Sequence, residues 1–307
     1  MSVPNTAWHK LRCNTILADS RVDVNSGFPI SPFIIRLPGV VPPAIMLRMI
    51  DNLLPPARRQ LNKGQTLRLL DEIESSPGPG ASIYIVPGRP RDEVRGMIKA
   101  TLKPGPALDS LVDNAVESST GAAIFWGEGH QKLLLPPFPL REARLAPGYA
   151  VEPLCEFLRR ERALALVLLR LGSYAIGVFR GEMLVSSKVG TGLVHGRHRN
   201  GGSSAHRFER HRDKQMEEFF TRVCAHARER IEPHISEIEH IVYGGERFTL
   251  LAFRKQCRFV QQLDDRALGR LLNIHEPKQA SLPVALAEAW SSIVLEWREE
   301  QGPPLPR

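Results

Sequence analysis

At 307 residues the chain is long enough for two domains with buried cores of their own. Its hydrophobic content of 42% and charged content of 24% argue against a disordered or membrane-embedded protein, and no stretch approaches the roughly 20 apolar residues of a membrane span. A net charge of +8 favours polyanionic partners, nucleic acid before acidic lipid.

The N-terminus, MSVPNTAWHKLRCNTILADSR, lacks the apolar run of a signal peptide, so a cytoplasmic location is expected. Cys13, Cys155, Cys224 and Cys257 lie far apart without zinc-site spacing or a dense disulfide pattern, and reduced thiols are the corresponding expectation. Residues 1–45 include GFPISPFIIRLPGVVPP, whose prolines block regular structure, and read as an extended arm. From Ala44 to Glu74 the spacing of Ile45, Met46, Met49, Ile50 and Leu53, then Leu61, Leu67, Leu70 and Ile73, predicts two helices broken at Pro55-Pro56. After the loop SSPGPGA, SIYIVPG reads as a buried strand, RDEVRGMIKATL as a helix, and GAAIFWGEGHQKLLLPP as a hairpin turning at Gly127 to Gly129. These elements give a small α/β accessory domain over 46–148, and PPFPLREARLAPGYAVEP reads as a proline-marked connection to the C-terminal half.

The second domain is assigned to 149–300, with a tail at 301–307. ALALVLLRLG, SYAIGVFRG and EMLVSSKVG are three apolar runs separated by glycine-containing turns, the signature of a strand meander. A long helix is expected from about Ser204 to Glu229, then the strand HIVYGG, the helix RFTLLAFRKQC, a short strand around LLNIH, and a closing helix PVALAEAWSSIVLEWREE. Strands first, then alternating helices and strands, indicate a mixed sheet covered by helices. The fold class is therefore α/β, an RNase H-like mixed sheet in the C-terminal half preceded by a smaller α/β domain.

The densest basic cluster, HGRHRNGGSSAHRFERHRDKQ at 195–215, has Gly201 and Gly202 at its centre. Paired glycine marks a place where backbone bends unusually or approaches something closely, and its basic surroundings make that something anionic. On the following helix Met216, Phe219, Phe220, Val223, Cys224, Ala227 and Ile231 form an apolar stripe, whereas before Met216 only Phe208 interrupts a run of polar and charged residues. The first part of the helix is expected to project into solvent as a basic stalk, with the glycines at its tip. The glycine pair is not followed by the Gly-Lys-Ser/Thr of a phosphate loop. His195, His198, His206 and His211 have no carboxylate or cysteine beside them to complete a metal site, and the meander carries only Glu182 as a carboxylate for nuclease-type chemistry, so neither metal nor cofactor is expected.

GTGLVHGRHRNGGSSAHRFERHRDKQ resembles the active loop and following helix of the release-factor-like peptidyl-tRNA hydrolases, the Vms-like release factor domain related to class I release factors of archaea and eukaryotes. IEHIVYGGERFTLLAFRKQ resembles the strand, glycine turn and helix of the release-factor central domain, and the likeness covers roughly 150–300. The resemblance implies that Gly201, Gly202, Ser203 and Ser204 shape a loop that promotes attack of water on the ester between nascent peptide and tRNA. It implies as well that Arg197, His198, Arg199, Arg207, Arg210, His211 and Lys214 contact ribosomal and transfer RNA. The partners so implied are the large ribosomal subunit, its rRNA and peptidyl-tRNA, with no membrane and no DNA. The activity so implied is codon-independent ribosome rescue in ribosome-associated quality control; the competing reading is a non-catalytic ribosome- or RNA-binding quality-control factor. One departure stands out: the family places a glutamine just after the small residues, where this chain has Ser204, a residue type that commonly caps a helix.

Overall fold

The computed structural model describes residues 55–194 and 205–297. The expectations for the arm at 1–45, the first helix before Pro55 and the tail at 301–307 fall outside those residues.

The first described strand, β1 (Ala57–Leu61), occupies part of the second predicted helix. The helix α1 begins at Lys63, because Asn62 forms a capping box: its side chain accepts from Gln65 N, and the Gln65 side chain accepts from Asn62 N. Next come β2 (Gly80–Ile85), α2 (Arg91–Thr101), α3 (Leu108–Glu117), β3 (Ala122–Gly127) and β4 (His130–Leu135), with the expected strand, helix and hairpin in place. The proline-marked segment is not a free connection. It supplies β5 (Arg144–Pro147), an edge strand on β2, and buries Phe138 and Leu140.

After α4 (Glu152–Arg159) the meander forms as expected: β6 (Ala163–Arg170), β7 (Ser173–Arg180) and β8 (Met183–Thr191). The long helix α5 (Ala205–Ile231) is followed by β9 (Ile238–Gly245), α6 (Arg247–Gln256), the short α7 (Arg258–Gln261), β10 (Ala267–Leu272) and α8 (Ser281–Ala289). The predicted closing helix is corrected here. It stops at Ala289, and the β-branched and apolar run after it forms β11 (Ser292–Glu296), which lies between β1 and β4.

Two sheets result. The first, in the order β1-β11-β4-β3-β2-β5, is antiparallel throughout. The second runs β10-β9-β6-β7-β8, with the meander pairs antiparallel and the β6-β9 and β9-β10 pairs parallel. Three meander strands flanked by two parallel ones is the RNase H-like order read from the sequence. Each sheet is covered on both faces. In β6, Leu164, Leu166 and Leu168 pack toward α8, while Ala165, Val167 and Leu169 pack toward α5 and α6. Burial on both faces explains why β6 reads as an unbroken apolar run.

Cys224 on the buried stripe of α5 and Cys257 at the end of α6 are joined as a disulfide, with Cα atoms 5.5 Å apart. This corrects the expectation of reduced thiols. The two residues are 33 positions apart in sequence, and only the packing of α5 against α6 brings them together.

Candidate RNA-facing helix and its anchors

Gly201, Gly202, Ser203 and Ser204, and with them Arg197, His198 and Arg199, lie outside the described residues. What is described is both ends of the segment that contains them. On the strand side, β8 ends in close contact with the core. A Cβ on Gly190 would lie 2.3 Å from Tyr174 Oη, and one on Gly192 would lie 2.5 Å from Phe219 Cδ2. Two glycines ahead of the basic cluster are thus required by space, since only bare backbone fits over those rings. Tyr174 in turn contacts His226 Nδ1 on α5 and meets Phe219 edge-on at 6.0 Å between centroids. The strand that enters the segment and the helix that leaves it are therefore fixed to each other.

On the helix side, the stripe predicted from the sequence is buried: Phe219, Phe220, Val223, Ala227 and Ile231 lie in the core on the α5 face of the second sheet, with Met216 and Cys224 packed against it. Toward the N-terminus the burial ends. Arg207, Glu209, Arg210, His211, Asp213 and Lys214 are exposed, while Arg212 and Gln215 are half-buried. At 1.5 Å per residue, the portion of α5 before Met216 extends about 16 Å. Of the residues given an RNA role, Arg207, Arg210, His211 and Lys214 share this exposed head, and Gln215 Nε2 lies 3.2 Å from His211 Nε2 one turn away.

Burial holds the His226 imidazole below its ordinary pKa, and the Lys188 charge adds to that effect. The His226 contact with Tyr174 serves packing.

The strand-turn-helix HIVYGGERF has an equally definite cause. A Cβ on Gly244 would lie 2.8 Å from Leu168 Cδ2, and Gly245 adopts φ +114° with its Cβ position 2.1 Å from Leu169 O. Glu246 then caps α6, accepting from Phe248 N at 3.0 Å and Thr249 N at 2.7 Å. The Thr249 hydroxyl bonds the same carboxylate, and these donors hold Glu246 below the usual carboxylate pKa.

A serine-histidine contact that sequence reading did not single out joins the loop after α1 to β4, between Ser76 Oγ and His130 Nε2. It does not make a nucleophile. Lys132 Nζ, 3.2 Å from His130 Nδ1 and 2.8 Å from Glu296 Oε1, can only donate. Nδ1 is thereby the acceptor, Nε2 carries the proton, and the ring donates to the serine instead of taking its hydrogen. Trp290 and Trp297 serve packing, Trp290 edge-on against Phe138 at 4.8 Å and Trp297 against Trp126 at 5.7 Å.

The meander, the two parallel strands and the long helix with a basic exposed head fall in the part of the chain that resembles known proteins. Residues 162–295 match the family model described as Actinobacteria/chloroflexi VLRF1 release factor, and that segment is a release-factor-like domain. The chain is also 32% identical over 163 residues to a protein described as Peptide chain release factor subunit 1 from Thermococcus sibiricus, covering 49% of this chain and 39% of that protein. A protein of the same description from Aeropyrum pernix is 26% identical over 206 residues, covering 57% of this chain and 55% of that protein. The chain thus spans less than two thirds of either relative. Among solved structures, one titled Crystal structure of archaeal translation termination factor, aRF1, shares 19% identity at a TM-score of 0.35, covering 75% of this chain and 70% of that chain. No helix among the described residues is long and apolar enough to cross a membrane.

Proposed function

We propose that the protein is a ribosome-rescue peptidyl-tRNA hydrolase acting in the cytoplasm on stalled large ribosomal subunits. The observation that carries this reading is the match of 162–295 to a release factor family, together with the exposed basic head of α5 that follows the Gly201-Gly202 pair. Arg207, Arg210, His211 and Lys214, with Arg197, His198 and Arg199, contact rRNA and tRNA phosphates, each cation releasing counterions as it binds. The glycine pair enters a crevice of the large subunit that side chains would block.

The chemistry asked of the segment is modest. Water adds to the ester carbonyl, the tetrahedral intermediate collapses, the bond to the tRNA ribose oxygen breaks, and that oxygen leaves with a proton as a free hydroxyl. The peptide departs as a carboxylic acid. Positioning one water and offering backbone N–H groups of Gly201 to Ser204 to the developing oxyanion are the contributions assigned to this chain. No metal or cofactor is required.

Ser204, standing where the resembled family has glutamine, favours a second reading, a ribosome-binding quality-control factor without the chemistry. Purified protein added to large subunits carrying labelled peptidyl-tRNA separates the two. Free tRNA and free peptide are expected, with a Ser204→Ala variant showing whether the hydroxyl takes part. Salt-sensitive binding that leaves peptidyl-tRNA intact would establish the second reading.

A further inference from the structure

Helix α6 begins with an aromatic ring in the open. Phe248 is 78% exposed, and Leu251, one turn on, is 46% exposed. The backbone beneath the ring is fixed, because Gly244 and Gly245 are pressed against Leu168 and Leu169 and Glu246 holds the N–H groups of Phe248 and Thr249. A ring on a preset turn loses little further freedom when something lies against it.

Phe248 forms one wall of a cleft of about 390 Å³. Arg170 and Leu171 come from the β6-β7 turn, and Arg212, Met216 and Phe220 from successive turns of α5. The cleft therefore combines a flat apolar face with guanidinium groups on two separate elements, and Arg247, which precedes Phe248 in sequence, is exposed. Its carboxylate, Glu246, is engaged by the capping donors and sits at the positive end of α6, which offsets its charge. Aromatic faces flanked by cations are how proteins hold unpaired nucleotides, the base on the ring and the phosphates on the arginines. The large apolar side chains that α6 leaves exposed here are only Phe248 and Leu251, a narrower apolar face than a partner helix would call for.

We propose that this cleft takes one unpaired nucleotide of ribosomal RNA, its base stacked on Phe248 and its phosphates held by Arg170, Arg212 and Arg247. The choice of ribosomal RNA rests on the reading under Proposed function. Arg212 lies seven residues into α5, about 10 Å behind the start of the helix, so the cleft sits on the flank of the head. If residues 201–204 reach the end of the tRNA, the flank meets the wall of the crevice, which is ribosomal RNA.

The test has two arms. Binding of a labelled single-stranded RNA 12-mer by the full chain is measured by anisotropy, and chemical probing of large subunits maps the bases that the protein protects. Phe248→Ala is expected to weaken the oligonucleotide roughly 5- to 100-fold while leaving thermal stability unchanged, since the ring is exposed. Phe248→Trp is expected to restore binding, with an indole fluorescence quenched by RNA beyond that of the native tryptophans. On the subunit, at least one ribosomal base protected by the wild type is expected to be reactive again with Phe248→Ala. Undiminished oligonucleotide binding by Phe248→Ala, or protection lost from tRNA instead, would overturn the proposal, the former leaving a protein partner as the reason for the exposed ring. The two readings fail separately: a chain without peptide release but with Phe248-dependent protection keeps the cleft and loses the hydrolase, and the reverse result keeps the hydrolase alone.

Discussion

The two sheets are covered on both faces alike, yet they are assembled from the chain in opposite ways. The second sheet uses one continuous span, from Ala163 to Leu272, whereas the first places β1 beside β11, strands separated by most of the described sequence. The contrast separates two tasks. The second sheet sets the position of α5 through neighbouring segments, and the first closes the molecule by pairing the start of the described chain with its end. Phe138, whose segment leads from one sheet to the other, stacks on His240 at 5.4 Å and also meets Trp290, so the two layers are not independent.

The sharpest way to break this arrangement is to remove the closing strand. Ending the chain before Ser292 deletes the neighbour of both β1 and β4 and exposes the surfaces buried by Val294, Leu295 and Trp297. Loss of cooperative thermal unfolding and rapid proteolysis within 57–147 are expected; an unchanged transition would show that the first sheet holds without its end strand. Next in size is Gly245→Ala in the second sheet, where a Cβ meets Leu169 O and φ is positive. Denaturant unfolding should show a loss of at least about 2–3 kcal/mol, the cost of steric strain at a site that cannot relax.

The disulfide bears on the second sheet alone. Closing a loop of this length is worth about 3–4 kcal/mol on the chain-entropy account, so reductant should lower stability by up to that amount. A Cys224→Ser, Cys257→Ser double variant should match the reduced protein and no longer respond to reductant, and thiol counting of the untreated protein should find neither residue reactive. The smallest effect is that of pH. Burial holds His130, His226 and His240 below their ordinary pKa, with Lys132, Lys188 and Arg162 adding to it in turn. The folded state thus binds fewer protons than the unfolded one. The stability they contribute is present above the unfolded value of about 6.5 and falls as pH drops through it toward the depressed folded values. His240→Phe, which keeps the stacking on Phe138, should flatten that decline between about pH 7 and 5.

The contrast between the sheets also explains what was legible in the sequence. The meander, α5 and its apolar stripe follow from local periodicity and from turns such as Leu171-Gly172 and Gly181-Glu182, so they could be read directly. β1 and β11 could not, because ARRQL becomes a strand only by pairing with SIVLE, and SIVLE, which pairs with ARRQL and β4, continues a helical apolar pattern after an alanine-rich helix. Phe138 was hidden in the same way, inside a proline-rich stretch that looks like a linker. At the candidate site, the exposed cations of α5 were evident from the lack of apolar residues before Met216. The need for Gly190 and Gly192 was not, since Tyr174 and Phe219 reach them from other elements. Phe248 reads from the sequence only as part of the helix RFTLLAFRKQC, and the paths of α5 and β6 leave it standing over a cleft. The disulfide depends on the same helix packing.

The central claim is that the Gly201-Gly202 segment, carried on a basic helix fixed to the second sheet, releases nascent peptide. Its most direct test compares wild type with Gly202→Ala in single-turnover peptide release from large subunits carrying labelled peptidyl-tRNA, with subunit binding measured in parallel. The account predicts release by the wild type, its abolition in Gly202→Ala, and nearly equal binding of the two. Equal release by both proteins, or none by either at full occupancy, would contradict it.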